Sequence, residues 1–154
     1  MGGGMIMGLV EGRDFVLAVN TAYVGCSGTG KGCIAGTKSI LLAVPVETQI
    51  VTGRRMIKTS WTLNGIDPAE AILKFEGDVT DLEDFLRSIP AEISGSVLYD
   101  LSLVRRLRVR TGFLSRGIYV SENDSGPGWK GFSLNKQQSG KFREFYTGHP
   151  ASVS

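Results

Sequence analysis

VRRLRVRTGFLSRGIYV, residues 104–120, alternates apolar and basic side chains at the two-residue period of a half-buried strand. The members expected to face the core are Leu107, Val109, Thr111 and Phe113. The members expected to face solvent are Arg106, Arg108 and Arg110. Gly112 and Gly117 flank a chain reversal, after which Ile118 and Val120 resume the alternation. We therefore predict a β-hairpin that carries arginines on its outer face.

Composition and length are typical of a globular protein with one domain. The chain has 154 residues, of which 42% are hydrophobic and 21% are charged. A domain of this size buries enough surface to fold without a disulfide or a structural metal. The net charge of +2 is too small to require a nucleic-acid partner. The sequence contains no apolar run long enough to span a bilayer and no secretory start, which predicts a cytoplasmic location.

The residues that usually carry chemistry are scarce. Cys26 and Cys33 are expected to be reduced thiols in the cytoplasm, the alternative being a disulfide across a glycine-rich turn. His149 is the only histidine and lies near the C-terminus, where chains usually fray. No metal-ligand set and no nucleophile with a base is apparent. We predict no enzymatic activity, no catalytic residue, no cofactor and no metal.

The first third of the chain has strand character. A strand is predicted from Phe15 to Val24, and the apolar run from Ile40 to Val44 is a second candidate that Pro45 should stop. Residues 50–63 predict two further strands around Gly53. The side chains expected to share one face of the second of these are Ile57, Thr59, Trp61 and Leu63.

The middle of the chain predicts two short helices around residues 67–89. Asp67 is a suitable N-cap followed by Pro68 at the first helical position, and this helix should continue through Phe75 to Gly77. The second helix is predicted to begin at Thr80, which with Glu83 has the spacing of a capping box, and to end before Pro90. Both helices are acidic on the side away from their apolar stripe.

The end of the chain predicts a last strand at residues 129–132 and then an amphipathic helix. Asn135 and Gln138 have the spacing of a capping box. Gly148 stands where a helix C-terminus favours a left-handed residue. The side chains expected to form the buried face of this helix are Phe142, Phe145 and Tyr146.

GCSGTGKG, residues 25–32, differs by one residue from the phosphate-binding loop G-x-x-x-x-G-K-[ST]. Gly32 stands in place of the hydroxyl that would hold magnesium. That loop also needs a helix directly after the lysine, whereas the residues after Lys31 read as a strand. The favoured interpretation is a glycine-rich hairpin turn, and a nucleotide-dependent enzyme that uses loop 25–32 is kept as an alternative.

The arginine strand is the remaining candidate site. Five arginines and no acid occur from Arg105 to Arg116, whereas seven acids and one lysine occur from Asp67 to Asp84. Guanidinium groups on alternate residues of one strand face suit phosphate and carboxylate oxygens. The candidate anion-binding residues are Arg106, Arg108, Arg110 and Arg116. Trp129 and Tyr119 would add stacking; an ordinary solvated strand face and a nucleic-acid-binding domain are the alternatives.

Three segments together resemble the pleckstrin-homology superfold, in particular its bacterial and GRAM-like branches. They are GKGCIAGTKSILLAVP (30–45), VRRLRVRTGFLSRGIYV (104–120) and GFSLNKQQSGKFREFY (131–146). The resemblance implies a bent antiparallel β-sandwich or partly open barrel, closed at one corner by the C-terminal helix. The two helices around 67–89 would then be an insertion that covers one end of the barrel.

The resemblance also implies function. It predicts an α+β domain over residues 8–148, with residues 1–7 and 149–154 as flexible termini. It implies a non-enzymatic binding or scaffolding module that recognises an anionic lipid headgroup or a protein partner, and self-association into a homo-oligomer is a further expectation. Catalysis is not implied, and the superfold supports many roles.

Overall fold

The computed structural model describes residues 8–22 and 29–153 and has two antiparallel sheets. The larger sheet contains β1 (Val16–Ala22), β2 (Thr29–Gly36), β3 (Ile40–Thr52), β4 (Arg55–Ser60) and β5 (Val97–Asp100). The smaller sheet contains β6 (Arg106–Arg110), β7 (Gly117–Ser121) and β8 (Lys130–Ser133). The helices of the described residues are α1 (Pro68–Leu73), α2 (Val79–Glu92) and α3 (Lys136–Tyr146). The predicted α+β class, with unclosed antiparallel sheets and a C-terminal helix, is confirmed.

Strand β3 is the central element of the larger sheet. One of its edges pairs with β2, while the other pairs with β5 along residues 40–43 and with β4 along residues 47–52. The prediction that Pro45 stops this strand is wrong. Lys31 pairs with Glu47 but Gly32 pairs with Pro45, so Val46 is an extra residue on β3. This bulge interrupts the regular hydrogen-bond ladder at the position where proline cannot donate.

Both faces of the larger sheet are buried around the first half of β3, which explains why β3 begins with an uninterrupted apolar run. One face packs against the smaller sheet and α3, and we call this layer the first core. Its members from the larger sheet include Val16, Ala18, Ile34, Leu41 and Ala43. The other face packs against α1 and α2 and forms the second core. Its members from this sheet include Leu17, Cys33, Ala35, Ile40, Leu42 and Val44.

The helices α1 and α2 cover a face of the larger sheet, whereas the resemblance implied that they cover one end of a barrel. Asp67 caps α1 as predicted, accepting hydrogen bonds from the Ala69 and Glu70 amides. The predicted cap of α2 at Thr80 is wrong by two residues. Asp78 is the N-cap and forms a capping box with Asp81, because a carboxylate satisfies the free amides at least as well as a threonine hydroxyl.

Two further details of α2 differ from expectation. The helix continues past Pro90 to Glu92, so proline occupies its last turn without ending it. Glu83, predicted to complete the cap, instead accepts a hydrogen bond from the Thr37 hydroxyl in the turn between β2 and β3. Thr37 is completely buried. The contact therefore ties α2 to the turn between β2 and β3, at one end of these inner strands.

The prediction for α3 is confirmed in its cap, its buried face and its end. Asn135 and Gln138 form the capping box, and Gly148 has a φ of 84°. Phe142, Phe145 and Tyr146 are buried in the first core. At the end of the helix the Lys38 ammonium donates to the Phe145 carbonyl and lies over the Phe145 ring. Burial lowers the pKa of Lys38.

Residues 149–153 pack against the domain beyond the predicted boundary at residue 148. The Leu107 amide donates to the Ala151 carbonyl at 2.7 Å, and the Val153 amide donates to the Leu107 carbonyl at 2.9 Å. The segment therefore lies along the free edge of β6. Nε2 of His149 lies 2.8 Å from the Lys38 carbonyl, and its Nδ1 accepts from the Ala151 amide at 3.1 Å. Thus His149 anchors this segment.

Cys33 is expected to resist thiol reagents in the folded protein. Its side chain is buried in the second core, and burial raises the pKa of the thiol to about 12. Because the thiolate is the reactive form, a Cys26→Ser variant should not react with iodoacetamide at pH ~8 until it is denatured. Mass spectrometry of the labelled protein checks this, and rapid labelling of the native variant would contradict it. Cys26 itself, and with it the predicted disulfide alternative, lies outside the described residues.

Candidate functional site

The arginine hairpin, which we define as β6, β7 and their connecting turn, forms as predicted but ends its pairing earlier. Paired residues run from Arg106 opposite Ser121 to Arg110 opposite Gly117. Leu107 is buried and Val109 packs against the first core. Phe113 was predicted to face the core and is 89% exposed, which corrects that prediction. The reason is that β6 stops at Arg110, so the alternation of faces no longer applies at residue 113.

The outer face of the smaller sheet, which is turned away from the first core, carries two aromatic rings between the arginines. Trp129 lies against two guanidinium groups, with its ring centroid 4.4 Å from Arg106 Cζ and 5.0 Å from Arg108 Cζ. A guanidinium over an indole ring gains cation–π attraction. The ring of Tyr119 lies across a glycine, since a Cβ at Gly131 would be 2.6 Å from Tyr119 Cδ1. This face is therefore an ordered aromatic and cationic surface.

Arg106 is largely committed to holding the loop between β7 and β8. Its Nε donates to the Asn123 carbonyl at 2.7 Å, and its Nη2 donates to the Gly126 carbonyl at 2.8 Å and to Ser121 Oγ at 3.1 Å. Ser121 is the last residue of β7, and the two carbonyl acceptors lie in the polar, glycine-containing loop after it, which no sequence pattern links to β6. Of the predicted anion-binding residues, Arg106 is thus the least available to a ligand.

Arg108 is half-buried beside Trp129. Its Nε is shielded from solvent and has no acceptor among the described residues. No carboxylate in the described part of the chain lies within salt-bridge distance of its guanidinium. A partly desolvated charge without a counter-charge is costly, and an external anion would reduce that cost.

Arg110 and Arg116 lie at the end of the hairpin where the chain reverses. Arg110 is exposed, while Arg116 is half-buried and its Nε has no acceptor in residues 8–22 and 29–153. Neither forms an ion pair within those ranges. Of the four predicted arginines, Arg108, Arg110 and Arg116 thus have no ion pair in the described residues, but only Arg108 and Arg110 line a common cleft.

Two clefts meet at Arg108 and Arg110. The smaller, of about 260 Å³, lies on the outer face and is completed by Ser115, Tyr119 and Trp129. The larger, of about 760 Å³, lies between β6 and the end of α3. Its lining includes Arg143, Thr147 and His149 beside the two hairpin arginines. Both clefts contain hydrogen-bond donors, and no acidic side chain among the described residues lines either of them.

Arg143 is a site residue that the sequence did not reveal. It lies in the last turn of α3, where a basic residue is expected simply because it complements the helix dipole. Only the packing of α3 beside β6 brings its Nη1 to 3.4 Å from Thr111 Oγ1 and its side chain into the larger cleft.

A third cleft, of about 880 Å³, lies on the other side of the C-terminal segment and is less suited to an anion. Its basic side chains are Lys38, Arg105 and His149. Lys38 donates to the Phe145 carbonyl, and Arg105 lies 3.9 Å from Asp124. The cations of this cleft thus already have partners, in contrast to Arg108 and Arg110.

The glycine-rich segment 25–32 is described only from residue 29 onward. Lys31 belongs to β2 and pairs with Ala22 and Glu47. The strand that follows the lysine, predicted from the sequence, is confirmed, and no helix N-terminus follows it. Residues 25–28, which would complete a phosphate loop, lie outside the described residues, as do Tyr23 and Val24 of the predicted first strand.

Comparisons of the chain with protein-family models, with curated proteins and with solved structures find no match. The resemblance to the pleckstrin-homology superfold therefore stays a prediction. In the part of the chain that the structure describes, no helix has the length and apolarity needed to cross a membrane. Nor do three or more metal-ligating side chains meet within those residues.

Proposed function

We propose that this protein is a non-enzymatic binding module whose arginine hairpin holds the phosphate or carboxylate oxygens of an anionic partner. The observation that carries the proposal is that Arg108 and Arg110 line two adjoining clefts without a carboxylate partner in the described residues. Arg143 joins them in the larger cleft. An anionic lipid headgroup and an acidic or phosphorylated protein are the two carriers of such oxygens that we consider.

The electrostatics of the hairpin support this function. Arg108 and Arg110 lie on the same face of one strand, two residues apart, so their side chains are neighbours. Like charges at this spacing repel, and an anion between them converts that repulsion into two charge-assisted hydrogen bonds. Trp129 limits the rotamers of Arg108, which reduces the entropy that binding must overcome.

Two alternatives are less well supported. A nucleotide-dependent enzyme would need a helix after Lys31, where β2 continues instead. A nucleic-acid-binding domain would use exposed aromatic rings to stack bases. Here Trp129 is already stacked by Arg106 and Arg108, and Tyr119 Oη donates to the Ser115 carbonyl at 3.0 Å across the face. The cytoplasmic location and the self-association expected from the sequence stay predictions.

A titration with a soluble anion tests the proposal. The probe is inorganic tripolyphosphate, and the signal is the fluorescence of Trp129 in a Trp61→Phe background. We expect salt-sensitive binding that weakens by about 10–100-fold in Arg108→Gln and in Arg110→Glu, the range for loss of a charge-assisted hydrogen bond. Arg110 is exposed, so its replacement should leave the fold intact even if Arg108→Gln is destabilising.

The matched control is Arg87→Glu, which changes the net charge by the same amount as Arg110→Glu on the exposed side of α2. It should retain affinity for tripolyphosphate. Equal losses of affinity in Arg87→Glu and Arg110→Glu would show that only the net charge matters. Absence of tripolyphosphate binding by the unmodified protein would refute the proposed function. A thymidine oligonucleotide that binds much more tightly than tripolyphosphate would favour the nucleic-acid alternative.

A further inference from the structure

The tip of the arginine hairpin, residues 111–116, presents two apolar side chains to solvent. Phe113 is 89% exposed and Leu114 is 77% exposed, the highest values among the large apolar side chains of the described residues. Leaving such groups in water costs free energy that burial would recover. The proposed anion site neither explains nor uses them.

Contacts from two elements hold the tip in this shape. Tyr119 Oη of β7 donates to the Ser115 carbonyl at 3.0 Å, and Arg143 of α3 reaches Thr111 Oγ1 at 3.4 Å. Ser115 itself has a left-handed φ of 61°. Because both anchors lie outside residues 113 and 114, the apolar pair projects beyond them.

The charges of the hairpin are segregated along its length. At the end away from the tip, Arg105 lies near Asp124 and Arg106 binds loop carbonyls. At the tip end, the cations without an ion pair in the described residues are Arg108, Arg110, Arg116 and Arg143. No acid occurs between Arg105 and Ser121. Along the chain, the apolar pair at the tip is therefore flanked by basic residues and by no acidic residue.

We propose that the hairpin tip docks on an anionic lipid bilayer, with Phe113 and Leu114 inserted at the boundary of the acyl chains and the arginines among the headgroups. The inference rests on the proposed function and specifies its partner. Phe113 is the third residue after Arg110, a span of at most about 11 Å. The headgroup layer of one leaflet is about 5–8 Å thick. Long arginine side chains reach back over this distance while the tip lies deeper.

Area and charge favour a bilayer over a protein on this surface. Stable protein interfaces bury roughly 1,200–2,000 Å² in total, far more than two side chains at a narrow tip provide. A second copy of the chain would bring two cationic tips together, which is repulsive. A bilayer with anionic lipids accepts a small apolar insertion and rewards each nearby arginine, so both features of the tip are used at once.

Vesicle sedimentation tests the inference. The probes are phosphatidylcholine vesicles with and without about one third phosphatidylserine. We expect binding only to the anionic vesicles, and the double variant Phe113→Ser, Leu114→Ser should weaken it about 10-fold or more. Tripolyphosphate affinity should stay unchanged in that variant, because neither side chain lines the anion clefts. Arg110→Glu should weaken both.

The matched control removes apolar side chains of similar exposure from a different hairpin, the one formed by β3 and β4. Val51 is 68% exposed and Met56 is 60% exposed, opposite each other near the turn between β3 and β4. The double variant Val51→Ser, Met56→Ser should bind vesicles normally. An equal loss in this control would refute a role specific to residues 113 and 114.

Insertion depth gives a second, direct measurement. An indole introduced by Leu114→Trp in a Trp61→Phe background, which keeps Trp129 in the site, should add emission that is quenched by brominated acyl chains and shifted to shorter wavelength on anionic vesicles, relative to the Trp61→Phe protein. Tripolyphosphate binding without vesicle binding would overturn the bilayer inference and leave the proposed function standing. Absence of both would overturn both, and equal binding to neutral vesicles or a tip-dependent dimer would overturn the bilayer inference as stated.

Discussion

Gly36→Ala is expected to lower the free energy of unfolding by about 2–4 kcal/mol. A Cβ at Gly36 would lie 2.2 Å from Tyr146 Oη and 3.3 Å from Val16 Cγ1. Tyr146 cannot move aside easily, since it is fully buried and its hydroxyl donates to the Thr37 carbonyl at 2.8 Å. The new methyl group therefore either overpacks the first core or breaks this buried hydrogen bond. Urea denaturation measures the loss.

A double-mutant cycle with Tyr146→Phe isolates the cause. Removing the hydroxyl alone should cost about 1 kcal/mol through the lost hydrogen bond. In the double variant the closest atom to the new Cβ is gone, so the total cost should be smaller than the sum of the two single changes. Simple additivity would show that the contact with Tyr146 is not the source of the effect.

The control for alanine itself is Gly140→Ala. Gly140 lies inside α3, is exposed, and has no atom within 4 Å of the position its Cβ would take. Alanine there should raise stability by about 0.5–1 kcal/mol because it favours the helix. The two glycines are thus expected to respond to the same substitution with opposite signs. A Gly36→Ala protein as stable as the unmodified chain would refute the packing argument.

Local signals in the sequence were sufficient for the elements whose ends are fixed by neighbours in the chain. The cap of α3 depends on Asn135 and Gln138, three residues apart, and the structure has it as predicted. The cap of α2 was harder, because Asp78 and Thr80 both precede an acidic residue at the right spacing. Besides the capping strength of the Asp78 carboxylate, packing favours this choice, since Glu83 accepts a hydrogen bond from Thr37 in the turn between β2 and β3.

The candidate site was only partly predictable, because it too depends on packing between distant elements. Strand period identified the arginine face, and β6 indeed carries Arg106, Arg108 and Arg110 on the side away from Leu107. The two-residue period alone cannot show that Arg106 donates to the carbonyls of Asn123 and Gly126, which lie 17 and 20 residues away in the sequence. It likewise cannot place Arg143 of α3 beside them. Both facts depend on contacts between elements that are distant in sequence.

Truncation after Gly148 is expected to lower the free energy of unfolding by about 3–4 kcal/mol. The predicted domain boundary at residue 148 implies instead that this truncation leaves the stability unchanged. The lost segment supplies the two backbone hydrogen bonds of Leu107, the His149 contact with the Lys38 carbonyl, and the buried Ala151. Its removal also leaves the edge of β6 unpaired, which favours aggregation. Urea denaturation and light scattering of the truncated chain measure both effects.

Val153→Pro tests the same segment with the full length retained. Proline removes the amide that donates to the Leu107 carbonyl and keeps the other contacts, so the cost should be about 1 kcal/mol. The truncated chain should therefore be clearly less stable than the proline variant. If truncation costs no more than Val153→Pro, residues 149–152 contribute little and the domain ends where the sequence placed it. If the predicted order holds, the free edge of β6 needs its own C-terminal segment, and the cleft that holds Arg108, Arg110 and Arg143 depends on it as well.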